Sequence, residues 1–219
     1  MSRIKEAIAK RVALELKDGD LVNLGIGLPT LVANFVPSDI EVYFQSENGL
    51  IGLGPSPEEG KEDVNLTNAG GQYVTIKKHG AFFDSVTSFG IIRGHHVDIT
   101  VLGALEVDEE GSLASWIIPN RMVPGMGGAM DLVVGAKRVI IATTHTNKKG
   151  EAKIKKRCTL PLTAYREVDM IVTELAVIAV RADGLHLIEK HPDVTLEEIL
   201  AKTEAKLVIG DVRDMEVFK

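Results

Sequence analysis

Residues 21–30 read LVNLGIGLPT, and residues 42–54 read VYFQSENGLIGLG. Leu21–Leu24 is short and apolar, as expected of a buried strand, and Gly25-Ile26-Gly27 breaks it. Pro29 is suited to the first turn of a helix running to about Phe35, because a proline lacks only an N–H that would be unpaired there. Val42–Gln45 predicts the next strand, which delivers Ser46-Glu47-Asn48-Gly49 at its carboxyl end. Strand, glycine turn, helix and strand in close succession predict a parallel α/β arrangement. In open sheets of that kind, ligands sit beyond the carboxyl ends of the strands.

The rest of the chain extends this pattern. Ile4, Ala7, Ile8, Val12 and Leu16 recur at helical spacing, so residues 2–17 predict an amphipathic helix closed near Gly19. Residues 50–72 are rich in glycine, proline and charge, and predict a long, functional or mobile loop. Strands are expected at Tyr73–Ile76, Ile99–Leu102, Leu113–Ile118, Arg138–Ala142, Val168–Thr173 and Ala176–Val180. Leu185–Glu189 is expected to return on the last of these around Asp183-Gly184. Asp84 or Ser85 is placed to cap a helix over 86–93. Thr195 with Glu198 predicts a capping box opening a last helix to about Lys206. With no repeat, low-complexity tract or linker, residues 1–219 predict one domain: an α/β fold with an open, mostly parallel sheet flanked by helices.

Composition narrows the function. Of 219 residues, 45% are hydrophobic and 26% charged, the profile of an ordinary globular protein. A net charge of -6 disfavours nucleic acid or an anionic membrane as the main partner. The charged N-terminus lacks an apolar signal core, and no apolar run reaches the length of a membrane span, so a cytoplasmic protein is expected. The single cysteine, Cys158, rules out an internal disulfide. It follows the basic run Lys153–Arg157, which would favour a thiolate, but no motif surrounds it and it reads as a small hydrophobe. The wider run Lys148–Arg157 reads as a solvated turn and edge strand in preference to a phosphate site.

Three segments could carry chemistry. Gly25-Ile26-Gly27 is either a backbone cradle for an anion or a tight packing turn, and it lacks the third glycine of a dinucleotide fingerprint. Glu47, at a strand end among glycines, could be base, metal ligand, nucleophile or simply a solvated turn residue. No His or carboxylate cluster at ligand spacing supports a metal. Gly125-Met126-Gly127-Gly128-Ala129-Met130-Asp131 has small residues that would let backbone N–H groups face an oxyanion, or would allow close packing.

Phe44 to Gly52, FQSENGLIG, resembles position for position the signature of the β subunit of the 3-oxoacid (acetoacetate-type) family I CoA-transferases. The likeness continues through Leu21–Thr30, Asn68-Ala69-Gly70, Phe89–Gly94, Val97–Gly103, Trp116–Pro119, Gly125–Val133 and Cys158–Thr163. The resemblance implies that Glu47 is the nucleophile, that Gly128 supplies an oxyanion N–H, and that Asn48, Gly49 and Gly127 contact substrate. It implies transfer of CoA between an acyl-CoA and a short-chain carboxylic acid through a glutamyl–CoA thioester, with CoA as substrate and neither metal nor resident cofactor. The apolar Leu50–Leu53 suits a small aliphatic acyl group. The glycine motif of the α subunit is absent, so an α-subunit partner is expected. Arg93-Gly94-His95-His96 and Pro119-Asn120-Arg121 depart from the usual pattern, and His95 is expected to be a packed or solvated loop residue. An acyl-CoA hydrolase and a non-catalytic metabolite-binding protein are the competing readings.

Overall fold

A computed structural model describes residues 3–120, 123 and 126–218. In chain order the elements are α1 (Arg3–Ala13), β1 (Leu21–Leu24), a 3-10 helix at Leu28–Phe35, β2 (Tyr43–Ser46), β3 (Leu50–Leu53) and β4 (Ile76–Phe82). They continue with α2 (Ser85–Arg93), β5 (Ile99–Leu102), β6 (Glu106–Asp108), β7 (Leu113–Ala114), α3 (Ala129–Gly135) and β8 (Arg138–Ala142). The last are β9 (Ile154–Lys155), β10 (Met170–Val172), β11 (Ala176–Arg181), β12 (Gly184–Lys190), α4 (Leu196–Ala201) and β13 (Leu207–Asp214), with a 3-10 turn at Glu216–Phe218.

A ten-stranded sheet runs β13-β12-β11-β10-β8-β5-β1-β2-β3-β4, and β7-β6-β9 form a small second sheet. The five central strands, β10-β8-β5-β1-β2, are parallel. Both flanks turn antiparallel, through β3 and β4 on one side and β11 and β12 on the other, and β13 then pairs parallel with β12. The expected α/β sheet flanked by helices is therefore present. The central strands are near-continuous apolar runs because both faces are covered.

On one face α1 and the 3-10 helix bury Ile8, Val12 and Val32 against Val22, Val101 and Ile140. On the other, Ile92 of α2 and Leu132 of α3 pack over Leu21. Ile199 of α4 joins the larger cluster around Val139, Ile141 and Ile171. Helix α1 ends at Ala13, not Lys17, and Ile4 is left exposed. Its buried face includes Arg11, whose guanidinium grips Glu189 of β12 at 2.7 and 3.0 Å and Glu15 at 2.7 Å.

Four further differences from expectation concern where strands and helices begin and end. Leu50–Leu53 falls in the expected loop, yet it is β3, returning antiparallel on β2. Its partner is Ile76–Phe82, not Tyr73–Ile76, and Gly52 and Gly80 meet so closely that a Cβ on Gly52 would lie 2.8 Å from the Gly80 Cα. Residues 115–118 leave the strand after Ala114, because the Ser115 N–H turns to the Thr163 hydroxyl at 3.0 Å. The last helix stops at Ala201, and Leu207–Asp214 forms an edge strand despite Gly210 and its charges. Asp84 and Thr195 do cap their helices, accepting from the N–H groups of Thr87 and Glu198. The Asp183-Gly184 hairpin is as expected.

Candidate active site

Glu47 is the first residue beyond β2. The register Ser46 to Leu50 leaves Glu47-Asn48-Gly49 as a three-residue hairpin turn, closed by the Gly49 N–H donating to the Ser46 carbonyl at 3.0 Å. Such turns need a residue with positive φ at their last position. Gly49 has φ 112°, and a Cβ there would stand 2.1 Å from the Phe83 carbonyl oxygen. The sequence therefore throws Glu47 out at the tip of a turn that only glycine can close.

The carboxylate opens into a cleft of about 820 Å³ between the carboxyl ends of the central strands and the loops around them. Gly127 and Gly128 face it. A Cβ built on Gly128 would sit 3.2 Å from the Glu47 Cγ and 3.4 Å from Oε1, and one on Gly127 would sit 3.9 Å from Oε1. Gly127 has φ 54°, and Gly128 precedes α3, its carbonyl accepting from the Leu132 N–H at 2.9 Å. Among the described residues, nothing hydrogen-bonds the Glu47 carboxylate and the Gly128 N–H meets no acceptor. Gly125 lies outside the described residues.

The other expected contacts divide. Asn48 is exposed and its amide donates to the Thr67 carbonyl at 2.8 Å, tying the hairpin to the following loop. Gly49 is buried against Phe83. Neither forms part of the cleft wall, whereas Glu47, Gly127, Gly128 and Leu53 do. Asn68-Ala69-Gly70 forms a wall, held by the Ser46 hydroxyl accepting from the Ala69 N–H at 2.9 Å and by the Asn68 Oδ1 accepting from Gly70 and Gln72. Gly25 also lines the cleft, and a Cβ on it would meet Leu102 Cδ2 at 3.1 Å. The GIG segment is thus a packing turn that brings the exposed Ile26 to the cleft.

Among the described residues lining the cleft, Glu47 is the only charged one. No three His, Cys, Asp or Glu side chains among the described residues converge as a metal would require. The basic run is not wholly solvated: Lys153 reaches inward, donating to the Thr143 hydroxyl at 2.8 Å and to the carbonyl of Ala104, a cleft residue. Burial lowers its pKa against the pull of Glu174. Burial, with Asp108 and Glu106 nearby, pushes the Cys158 thiol up to about 12, so it is no thiolate. His95 packs as a loop residue, its Nδ1 3.0 Å from the Gly135 carbonyl.

Residues 5–202 match the family model described as Coenzyme A transferase. The chain belongs to the coenzyme A transferase family. It is 56% identical over 97% of its length to the β subunit of the acetate CoA-transferase of Haemophilus influenzae, covering 96% of that protein. It is 50% identical to the corresponding chain of a probable succinyl-CoA:3-ketoacid coenzyme A transferase of Bacillus subtilis, with 96% of this chain and 97% of that one aligned. This end-to-end agreement makes it a β-type CoA-transferase subunit. Among solved structures, an acyl-CoA transferase apoenzyme from Escherichia coli O157:H7 superposes with a TM-score of 0.79 at 24% identity. That likeness takes in 98% of this chain but 44% of the longer one, and it bears on the fold.

Sequence reasoning missed two sets of buried polar side chains. Asn23, Gln45 and Ser88 form one hydrogen-bonded set, and His145 lies buried between two threonines. Asparagine inside the apolar LVNL is the one local signal that could have found the first.

Proposed function

We propose that this chain is the nucleophile-bearing β subunit of a 3-oxoacid CoA-transferase, and that it moves CoA between an acyl-CoA and a short-chain acid such as acetoacetate. The observation that carries this is the Glu47 carboxylate, unpaired at a hairpin tip and within 4 Å of the space a side chain on Gly127 or Gly128 would take. A Glu47 oxygen attacks the thioester carbonyl, the C–S bond breaks, and CoA leaves as thiolate with the electron pair. The thiolate attacks the glutamyl carbonyl of the resulting anhydride, releasing the first acid as its carboxylate. An acceptor carboxylate then displaces CoA from the glutamyl thioester, and the thiolate takes up the new acyl group as Glu47 is freed. No step consumes an oxidant, a proton or a nucleotide, and CoA is a substrate throughout. In this reading the Gly128 N–H donates to the oxyanion at Glu47; such a donor is worth about two to three powers of ten in rate.

The partner in this reading is an α subunit. CoA carries several phosphates, and the cleft offers them no cation among the described residues. The outer faces of α2 and α3 leave Val86, Met130 and Val134 exposed beside Gly127 and Asp131. Exposed apolar side chains gathered next to a site mark a protein-contact surface, and we assign this face to the α subunit. The sheet draws strands from β1 through β13, which favours residues 1–219 as one folding unit. No helix among the described residues is long and apolar enough to cross a membrane, in keeping with a cytoplasmic enzyme.

The test is intact mass of the chain, purified with its α partner and exposed briefly to acetoacetyl-CoA. A glutamyl–CoA adduct on Glu47, absent in Glu47→Ala, is expected. A folded complex that forms no adduct with any of several acyl-CoAs sinks the assignment. Stoichiometric release of free CoA without an acceptor acid would make the protein a hydrolase instead.

A further inference from the structure

Below the cleft, on the face of the sheet covered by α2, the central strands carry polar residues where apolar ones are expected. Gln45, Asn23 and Thr100 occupy paired positions on β2, β1 and β5. Their exposures are 3%, 1% and 0%. The Asn23 amide nitrogen donates to the Gln45 side-chain oxygen at 2.6 Å and to the Gln45 backbone carbonyl at 3.2 Å. The Gln45 amide nitrogen continues the chain to the Ser88 hydroxyl of α2 at 3.0 Å. These acceptors fix the orientation of Asn23, since exchanging its oxygen and nitrogen would set acceptor against acceptor.

Among the described residues its Oδ1 is consequently left buried with no partner, as is the Thr100 hydroxyl. A buried polar atom without a partner destabilises a fold, whereas valine or leucine at either position would leave none. Buried polar rows kept against that cost are expected where a site needs them. Asn23 and Gln45 both line the inner wall of the cleft that holds Glu47. Gln45 stands two residues before Glu47 on a strand of four residues.

We propose that Asn23 is a positioning residue for CoA transfer, clamping the end of β2 so that Glu47 is held at its distance from Gly128. The inference rests on Glu47 being the nucleophile. It predicts a loss in the chemical step and not in substrate capture. With the Glu47 Cγ only 3.2 Å from where a Cβ on Gly128 would stand, there is little slack, and a displacement of about 1 Å at a reacting group costs on the order of a hundredfold in rate.

The experiment compares Asn23→Asp and Asn23→Ala in the assembled enzyme. Asp has the same shape, but its carboxylate cannot donate to Gln45, so it decides the matter if the alanine variant does not fold. Expected is a fall of about a hundredfold in kcat, with KM for acyl-CoA nearly unchanged, slower accumulation of the same Glu47 adduct, and a chain that stays folded at the assay temperature by circular dichroism although its melting temperature is lowered. A variant whose kcat and adduct rate equal wild type overturns the proposal, as does a loss of activity that only tracks unfolding. If wild type itself forms no adduct at Glu47, the nucleophile reading fails; if wild type forms it and the variants form it equally fast, this inference alone fails.

Discussion

His145 should make the protein acid-labile over a defined pH window. It is fully buried after β8. Its Nε2 lies 2.9 Å from the Thr203 hydroxyl, and that hydroxyl already donates to the Ile199 carbonyl at 2.8 Å. Nε2–H is therefore the donor to Thr203, while Nδ1 lies 3.0 Å from Thr173 Oγ1, whose own proton goes to the Ala176 carbonyl at 3.1 Å. Thr173 Oγ1 also accepts from the N–H groups of Leu175 and Ala176, so a second ring proton would find it crowded with donors. Burial, helped by the charge of Lys202, lowers the imidazole pKa from 6.5 to about 4.

A folded-state pKa below the unfolded one means that the unfolded chain binds the extra proton first. The stability held by neutral His145 is then complete above pH 6.5, is lost as pH falls from there toward 4, and loses nothing further below. The full difference is about 3 kcal/mol, and most of it falls between pH 7.5 and 4.5. In a chain of this size that is about 5–10 °C in melting temperature. Carboxylates such as Glu15, held low despite burial by Arg11 and Arg138, also titrate in acid. The measurement is therefore a comparison: melting temperature against pH for wild type and His145→Asn. The variant should be less stable at pH 7.5, and the gap should close as pH approaches 4.5. Parallel curves would refute the neutral, buried histidine.

Three substitutions test the site and its surroundings. Gly128→Ala keeps the N–H but sets a methyl 3.2 Å from the Glu47 Cγ, and kcat should fall about tenfold to a hundredfold by steady-state assay with little change in melting temperature. Gly49→Ala places a Cβ 2.1 Å from the Phe83 carbonyl at φ 112°, and should cost at least about 2 kcal/mol in denaturant unfolding. Val134→Asp, at an exposed position 55% open to solvent, should leave the chain folded by circular dichroism but weaken co-purification with the α subunit at least about tenfold.

The centre of the fold was legible because its signals are local. Leu21–Leu24, Ile99–Leu102 and Arg138–Ala142 are apolar runs bounded by turn residues, and each is a strand with those limits. The flanks were not. Lys77, Lys78 and His79 in β4 and Gly210 with Asp211 in β13 are poor strand formers; they fall in bulges between the residues that pair with β3 and β12, and no short window contains those pairings. His79 even adopts φ 73° within β4, a conformation that local propensity would never assign to a strand. Edge strands tolerate such residues because one side of the ladder is free.

The site divides in the same way. Glu47, Gly127 and Gly128 could be singled out because carboxylate and glycines cluster along the chain, but their meeting is tertiary: 80 positions separate Glu47 from Gly127 by number. Asn23 was harder still, since a lone asparagine among Leu, Val and Leu reads equally as a strand edge. Only the parallel register that sets Asn23 beside both Gln45 and Thr100 turns it into part of a buried row near Glu47. The same register explains the single charge in the cleft. Parallel central strands need apolar cover on both faces, so polar groups reach the surface at their carboxyl ends, where Glu47 is the only charged side chain among the described cleft residues. The described cleft residues offer no cation for the CoA phosphates, so a second subunit is expected to supply them.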